Sequence, residues 1–173
     1  MSPLRAVRIC RAQHSDTAFT GDGGKRAPGR WHSIGTPIVY CASSQAGAQL
    51  ELLVNLRGVL NPTSFVFFEV SFDQSLVAPT ITAKDLDEYP VDWRNPQYSV
   101  LLQEMGDEWA RSLNSAVMAV PSAVTPADFN YLLNPQHPDF KKIKIGKPQA
   151  VVWDPRLLER LSPRSKTSDD PAE

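Results

Sequence analysis

The chain has 173 residues, 42% of them hydrophobic and 21% charged, with a formal net charge of −1 and a pI near 6.3. That length suits one core, read as a single domain over residues 1–161, and the near-neutral balance lacks the basic footprint of a nucleic-acid or membrane-surface binder. No apolar run approaches the roughly 20 residues that span a bilayer, and the opening MSPLRAVRICRAQ has no apolar signal core, so the cytoplasm is the expected compartment. Cys10 and Cys41 lack metal-type spacing and read as small core residues in a reducing compartment.

In chain order, Leu4 to Ala12 interleaves apolar residues with arginines and predicts a strand. Asp16 to Gly29 holds four of the nine glycines and Pro28, which predicts a functional loop. A short strand is expected around Trp31, and another over Pro37 to Cys41. Ser43 or Ser44 offers an N-cap for a helix to Arg57, with Gly58 as its stop. Leu50, Leu53, Val54 and Leu56 cover more than one face, which predicts a mostly buried helix. Asn61-Pro62 is a turn. Phe65 to Phe72 alternates strongly and is the clearest strand, with Val66, Phe68, Val70 and Phe72 on one face.

Residues 79–96 read as a proline-punctuated loop with one helical turn at Lys84 to Glu88. Tyr98 to Leu113 is a helix, and Ala116 to Val120 a strand closed by Pro121-Ser122. Thr125 to Phe140 mixes turn residues with Phe129, Tyr131, Leu132 and Leu133. Lys141 to Ile145 and Ala150 to Trp153 suggest a closing hairpin. Residues 162–173 are polar and read as a disordered tail. Short strands interrupted by a few helices make an α+β fold rather than a regular βαβ alternation.

Glu51 is the most informative residue. A helical glutamate usually stands on a solvated edge, but apolar flanks on both sides raise the case for a buried carboxylate. Such a carboxylate needs a cation or several donors, and Arg30 or a cationic ligand could supply the charge. Arg30 follows Gly29 at the end of a glycine-rich loop; its planar fork suits phosphate or carboxylate, although a solvated loop arginine has the same local signature. Tyr40 is either core or a face for a planar ring. Ser122 lacks a G-x-S-x-G setting and reads locally as a turn serine. His14, His32 and His137 have no metal-binding spacing, and the glycines at 21–29 form neither a P-loop nor a dinucleotide fingerprint.

These pieces resemble the RES domain family, named for its Arg, Glu and Ser. The resemblance spans residues 4–154 and is most specific in DTAFTGDGG at 16–24, GRWHSIGTPIVYCA at 29–42, the helix with Glu51, and VPSAV…NYLLNPQHPDF over 120–140. Arg30, Tyr40, Glu51 and Ser122 occupy the family's motif positions. His32 stands where the family usually has Asn, and Gly24 where Ala is common.

The resemblance implies an ADP-ribosyltransferase-like α+β fold with mixed or antiparallel sheets. It also implies the toxin of a type II toxin–antitoxin pair whose antitoxin is an Xre-like DNA-binding protein placed over the active site. NAD⁺ would be a substrate rather than a prosthetic group, cleaved by hydrolysis or phosphorolysis or used to ADP-ribosylate a protein. The implied roles are catalysis for Glu51 and Arg30, and substrate binding for Arg30, Tyr40 and Ser122, with no metal. The residues suit that chemistry. Nicotinamide departs neutral from a positively charged ring, so no general acid is needed and one carboxylate suffices where an ordinary glycosidase uses two. Two readings compete. A non-catalytic interaction module on the same fold would not need all four motif residues together, and a ribonuclease toxin fits poorly with the near-neutral charge.

Overall fold

The computed structural model describes residues 3–56, 64–89, 92–95 and 99–161. The expected helix stop at Gly58, the turn at Asn61-Pro62 and the polar tail over 162–173 lie outside the described residues.

One seven-stranded sheet organises the chain. In sequence the strands are β1 (Leu4–Arg11), β2 (Val39–Ala42), β3 (Phe65–Phe72), β4 (Val117–Pro121), β5 (Phe129–Leu133), β6 (Lys144–Ile145) and β7 (Gln149–Ala150). In space the order is β4-β5-β2-β1-β3-β6, with β7 also on β3, and every pairing is antiparallel. The helices are α1 (Asp22–Arg26), α2 (Gln45–Asn55), α3 (Ala83–Asp87), α4 (Ser99–Ser112) and α5 (Pro155–Leu161). The fold is therefore α+β, as the element pattern implies.

Because side chains alternate across a strand, the sheet has two differently covered faces. Ala6, Val39, Cys41, Val70, Phe72, Val117 and Leu133 make a core on one face with Leu76 and Ile143. The opposite face sends Tyr40, Met118, Val120 and Leu132 against Trp31, Trp93, Leu102 and Trp109. A third cluster joins Phe65, Val151 and Trp153 to Leu52 and Leu53 of α2. The clearest expected strand, β3, buries Phe68, Val70 and Phe72 as its alternation predicts and leaves Glu69 exposed.

Several expectations change in three dimensions. The glycine-rich stretch Asp16 to Gly29 is not wholly loop: a 3-10 turn (Ala12–Thr17) runs into its start and the short helix α1 lies within it. Around Trp31 there is only one isolated bridge, Gly29 to His32. Helix α2 starts as expected, Ser44 accepting the Gly47 N–H at 3.0 Å, but it is not mostly buried. Leu50 and Val54 are 41% and 62% exposed, since the helix turns the stripe Ala48, Glu51, Leu52 and Asn55 to the cavity over the sheet, an i, i+3, i+4, i+7 spacing. The closing hairpin does not form: β6 and β7 each pair with β3, Ile145 opposite Val70 and Ala150 opposite Val66, so the two runs line one edge in succession.

Candidate active site

The site begins where the sheet opens. Strands β1 and β2 pair at Val7 and Ala42; farther along, Arg8 reaches across and its Nη1 donates to Tyr40 O at 2.9 Å. A side chain has replaced a ladder hydrogen bond. Helix α2 lies over this opening, leaving a cavity of about 220 Å³ lined by Val7, Tyr40, Glu51, Leu52, Asn55 and Asn130 among others. A larger groove of about 500 Å³ runs beside Met105, Trp109 and Ser115, but none of the expected site residues lines it.

Glu51 points from α2 to the sheet. Its Oε1 accepts Ser122 Oγ at 2.8 Å and Asn130 Nδ2 at 2.8 Å. The register explains why: Asn130 lies opposite Ala42 across β5 and β2, and opposite Val120 across β4, two residues before Ser122. Ser122 Oγ also accepts the N–H groups of Val124 at 3.2 Å and Thr125 at 3.1 Å. Its one hydrogen is therefore given to Glu51 and both lone pairs are taken. In this arrangement the Ser122 hydroxyl is engaged by Glu51, Val124 and Thr125. With Oε1 held twice, Glu51 Oε2 carries no hydrogen bond among the described residues and is the oxygen available to the cavity.

Arg30 is not the direct partner of Glu51 that its charge suggested. Among the described residues no ion pair joins them, and Arg30 Nη1 donates to Trp93 O at 2.8 Å. The two are close enough to feel each other's charge: burial pushes the guanidinium pKa down, while Glu51, Tyr40 and Asp92 oppose that shift. One arm of the fork is thus anchored on Trp93 O.

Tyr40 fills the other flank. Its hydroxyl accepts Trp31 N–H at 3.1 Å and meets His32 Nδ1 at 2.8 Å. Burial drives its pKa well above the ordinary tyrosine value, against the Trp31 hydrogen bond and the Arg30 charge, so the phenol stays neutral. The segment with Arg30 is held from α4: Gln103 donates to Gly29 O at 2.9 Å, and Asp107 accepts from Ser33 N–H at 3.1 Å and from Ser33 Oγ. Gly106 allows this approach, since a Cβ there would lie 1.8 Å from Trp31 O. The departures at Gly24 and His32 meet in space: a Cβ on Gly24 would lie 2.9 Å from His32 Nε2.

The structure thus brings Glu51 and Tyr40 to one cavity, with Ser122 bonded to Glu51 and Arg30 near enough to act on Glu51 and Tyr40 by its charge. Asn130 and Arg8 belong to the same place and were not singled out from the sequence. Asn130 opens the NYLL run, where an amide on a strand between apolar residues was the available signal. Arg8 carried none, being one of several arginines in β1. Among the described residues no group of three or more His, Cys, Asp or Glu could hold a metal ion, and no helix is long and apolar enough to cross a membrane.

The sequence profile of the RES domain matches residues 5–154. The chain belongs to the RES domain family. Toxin Res of Photorhabdus laumondii is 36% identical over 153 residues, covering 88% of this chain and 96% of that protein. The Prs ADP-ribosylating toxin of a Sphingobium species is 35% identical over 142 residues, covering 82% and 88%. In three dimensions the chain is similar to a protein in the M. tuberculosis MbcT–MbcA toxin–antitoxin complex, with a TM-score of 0.64 at 15% identity, covering 92% of this chain and 89% of the other. The fold is thus that of a solved toxin–antitoxin component, and by kinship over nearly its whole length the chain is a RES-family toxin.

Proposed function

We propose that this RES toxin cleaves the nicotinamide–ribose bond of NAD⁺, passing the ADP-ribosyl group to water, to phosphate or to a protein side chain, and so arrests growth. The observation that carries the reading is the state of Glu51: one carboxylate oxygen fixed by Ser122 and Asn130, the other without a hydrogen bond among the described residues, on a side chain that lines the cavity. An oxocarbenium-like transition state needs a preorganised negative charge near the anomeric carbon and an acceptor for a ribose hydroxyl, and Glu51 Oε2 supplies both. Nicotinamide leaves as a neutral molecule, so a second placed carboxylate is not required. Arg30 holds a phosphate with the part of its fork not given to Trp93, and Tyr40 offers its ring face to the nicotinamide or its ribose.

The name of the Sphingobium relative favours transfer to a protein acceptor. A partner antitoxin, of Xre type in the reading from the sequence, would restrain the enzyme by covering the cavity. The exposed Leu50 and Val54 on the outer face of α2 give it apolar surface beside the opening, and an interface of about 1,600 Å² suffices for tight exclusion of NAD⁺.

The deciding experiment incubates pure protein with NAD⁺, with and without phosphate, and follows nicotinamide release. Turnover is expected, with Glu51→Gln slowed on the order of 10²–10³-fold while still binding NAD⁺. Wild-type turnover in Glu51→Gln would remove Glu51 from the mechanism. No NAD⁺ binding at all would favour a non-catalytic interaction module.

A further inference from the structure

We propose that His32 is a positioning residue for the candidate site: neutral and protonated on Nε2, it takes the Tyr40 hydroxyl hydrogen at Nδ1 and thereby leaves Tyr40 to meet a ligand with its ring face rather than as a hydrogen-bond donor.

The direction of the chain of bonds follows from its ends. Ala27 O, 3.2 Å from His32 Nε2, can only accept, so Nε2 carries the hydrogen. A neutral imidazole then has a lone pair at Nδ1. Tyr40 Oη lies 2.8 Å from that lone pair and donates to it. Trp31 N–H, 3.1 Å away, can only donate, so it takes a lone pair of the same oxygen. Three residues of the segment 27–32 are thus tied to β2 through one phenol, and Arg30 lies between two of them.

The seat leaves the ring no second orientation. His32 is 4% exposed. A Cβ on Gly29 would come within 2.4 Å of its Cε1 and within 2.7 Å of Tyr40 Oη, so the ring is packed against bare backbone on that side. The charged and titratable groups facing it are few. From β2 there is Tyr40. From α4 there is Asp107, whose charge favours the protonated ring. Gly24 of α1 packs on the ring, and the charged side chains of that helix are Arg26 and the exposed Asp22–Lys25 pair at 2.9 Å. Burial outweighs the Ala27 carbonyl and Asp107 and holds the His32 pKa below the ordinary histidine value.

Protonation reverses one link. A hydrogen on Nδ1 would donate to Tyr40 Oη, which already receives Trp31 N–H, and the phenol hydrogen would turn toward the cleft in search of an acceptor. The folded state disfavours this, so stability falls as pH drops below the ordinary histidine value of about 6.5 and continues to fall until the folded-state pKa is passed. Asparagine is the natural control: its Oδ1 sits near the position of Nδ1, accepts the Tyr40 hydroxyl and does not titrate.

The test has two arms, both in a Glu51→Gln background so that the protein can be produced without turnover. The first is nitrogen and proton NMR of the free protein and needs no ligand. The expected result is an Nε2–H tautomer for His32, a titration below pH ~6.5, and a slowly exchanging Tyr40 hydroxyl proton that persists in His32→Asn and is lost in His32→Leu. An Nδ1–H tautomer, or a Tyr40 proton unchanged in a folded His32→Leu, overturns the proposal. Should His32→Leu not fold, the tautomer and the survival of the Tyr40 signal in His32→Asn decide by themselves.

The second arm, calorimetry with NAD⁺, rests on the function proposed above. As pH falls from about 7.5 to about 5.5, affinity is expected to weaken roughly three- to tenfold, the worth of one hydrogen bond, while His32→Asn stays flat. Equal pH dependence in both, or tighter binding at low pH, overturns the proposal. Absence of NAD⁺ binding at any pH, with the first arm as expected, refutes the NAD⁺ reading and leaves His32 as the residue that positions Tyr40.

Discussion

The holding of Glu51 by two donors can be separated from the stability of the fold, because the donors differ in what else they do. Among the described residues Asn130 Nδ2 makes one hydrogen bond, to Glu51 Oε1 at 2.8 Å, on a residue only partly buried. Ser122 makes that bond and also takes the Val124 and Thr125 N–H groups, on a residue 2% exposed. A hydrogen bond to a charged group contributes about 1.5–3 kcal/mol, and partial exposure at Asn130 points to the lower end. Asn130→Ala should therefore lower kcat/KM roughly tenfold, since 1.36 kcal/mol corresponds to one decade, with a stability change of about 1 kcal/mol or less. Ser122→Ala should lower kcat/KM by a similar factor or more and also destabilise by about 2–4 kcal/mol, because two turn N–H groups lose their acceptor. With both removed the carboxylate regains its rotamers, so the double variant should lose more than the product of the single effects. The assay is nicotinamide release at several NAD⁺ concentrations, paired with urea unfolding of each variant. Wild-type kcat/KM in a folded Asn130→Ala, or strict multiplicativity in the pair, would refute the idea that the two amino-acid side chains jointly fix Glu51.

Three further outcomes follow from the support around the site. Arg30→Lys should weaken NAD⁺ binding nearly as much as Arg30→Ala, because an ammonium cannot hold Trp93 O and a phosphate in one plane; calorimetry showing wild-type affinity for lysine would contradict this. Gly106→Ala gains about 1 kcal/mol of helix propensity, but its Cβ would sit 1.8 Å from Trp31 O, so a net loss of about 1–3 kcal/mol is expected from overpacking, read by urea unfolding. Burial pushes the Asp107 carboxyl up, but hydrogen bonds from Ser33 and Thr36 outweigh it and hold its pKa below the usual carboxylate range. Its contribution is present above the unfolded value of about 3.9 and lost as pH falls through the folded one, so Asp107→Asn should be less stable at neutral pH and show a shallower acid limb in thermal melts.

The elements themselves were mostly legible, for local reasons. The alternation in FVFFEVSF and the serine before the α2 apolar run carry their own physics, period 2 in one case and an N-cap in the other. Thr82 and Asp85 form a capping box at the start of α3, where the sequence reading placed one helical turn. Glu51 and Arg30 stood out locally, but the grouping of the four residues came through resemblance, because nothing between Arg30 and Ser122 in sequence says that they meet.

What the sequence by itself determined is this inventory: the strand periodicities, the helix starts, and one carboxylate among leucines. Only the tertiary structure decided how they are used. Helix α2 appears mostly buried in the sequence because its apolar residues cover more than one face, yet it turns one stripe to the sheet and leaves Val54 exposed. The sequence cannot tell which apolar face a sheet will select. Lys141 to Ile145 and Ala150 to Trp153 look like partners because they are neighbours, but the strands that form there, β6 and β7, both take the edge of β3, where unpaired backbone groups are already aligned. Glu51 looked for an arginine and found a serine and an asparagine, since the pairing of β5 with β2 and β4 sets Asn130 beside it. Partners more than 70 residues apart are chosen by strand register, which is a property of the assembled sheet and of no segment within it.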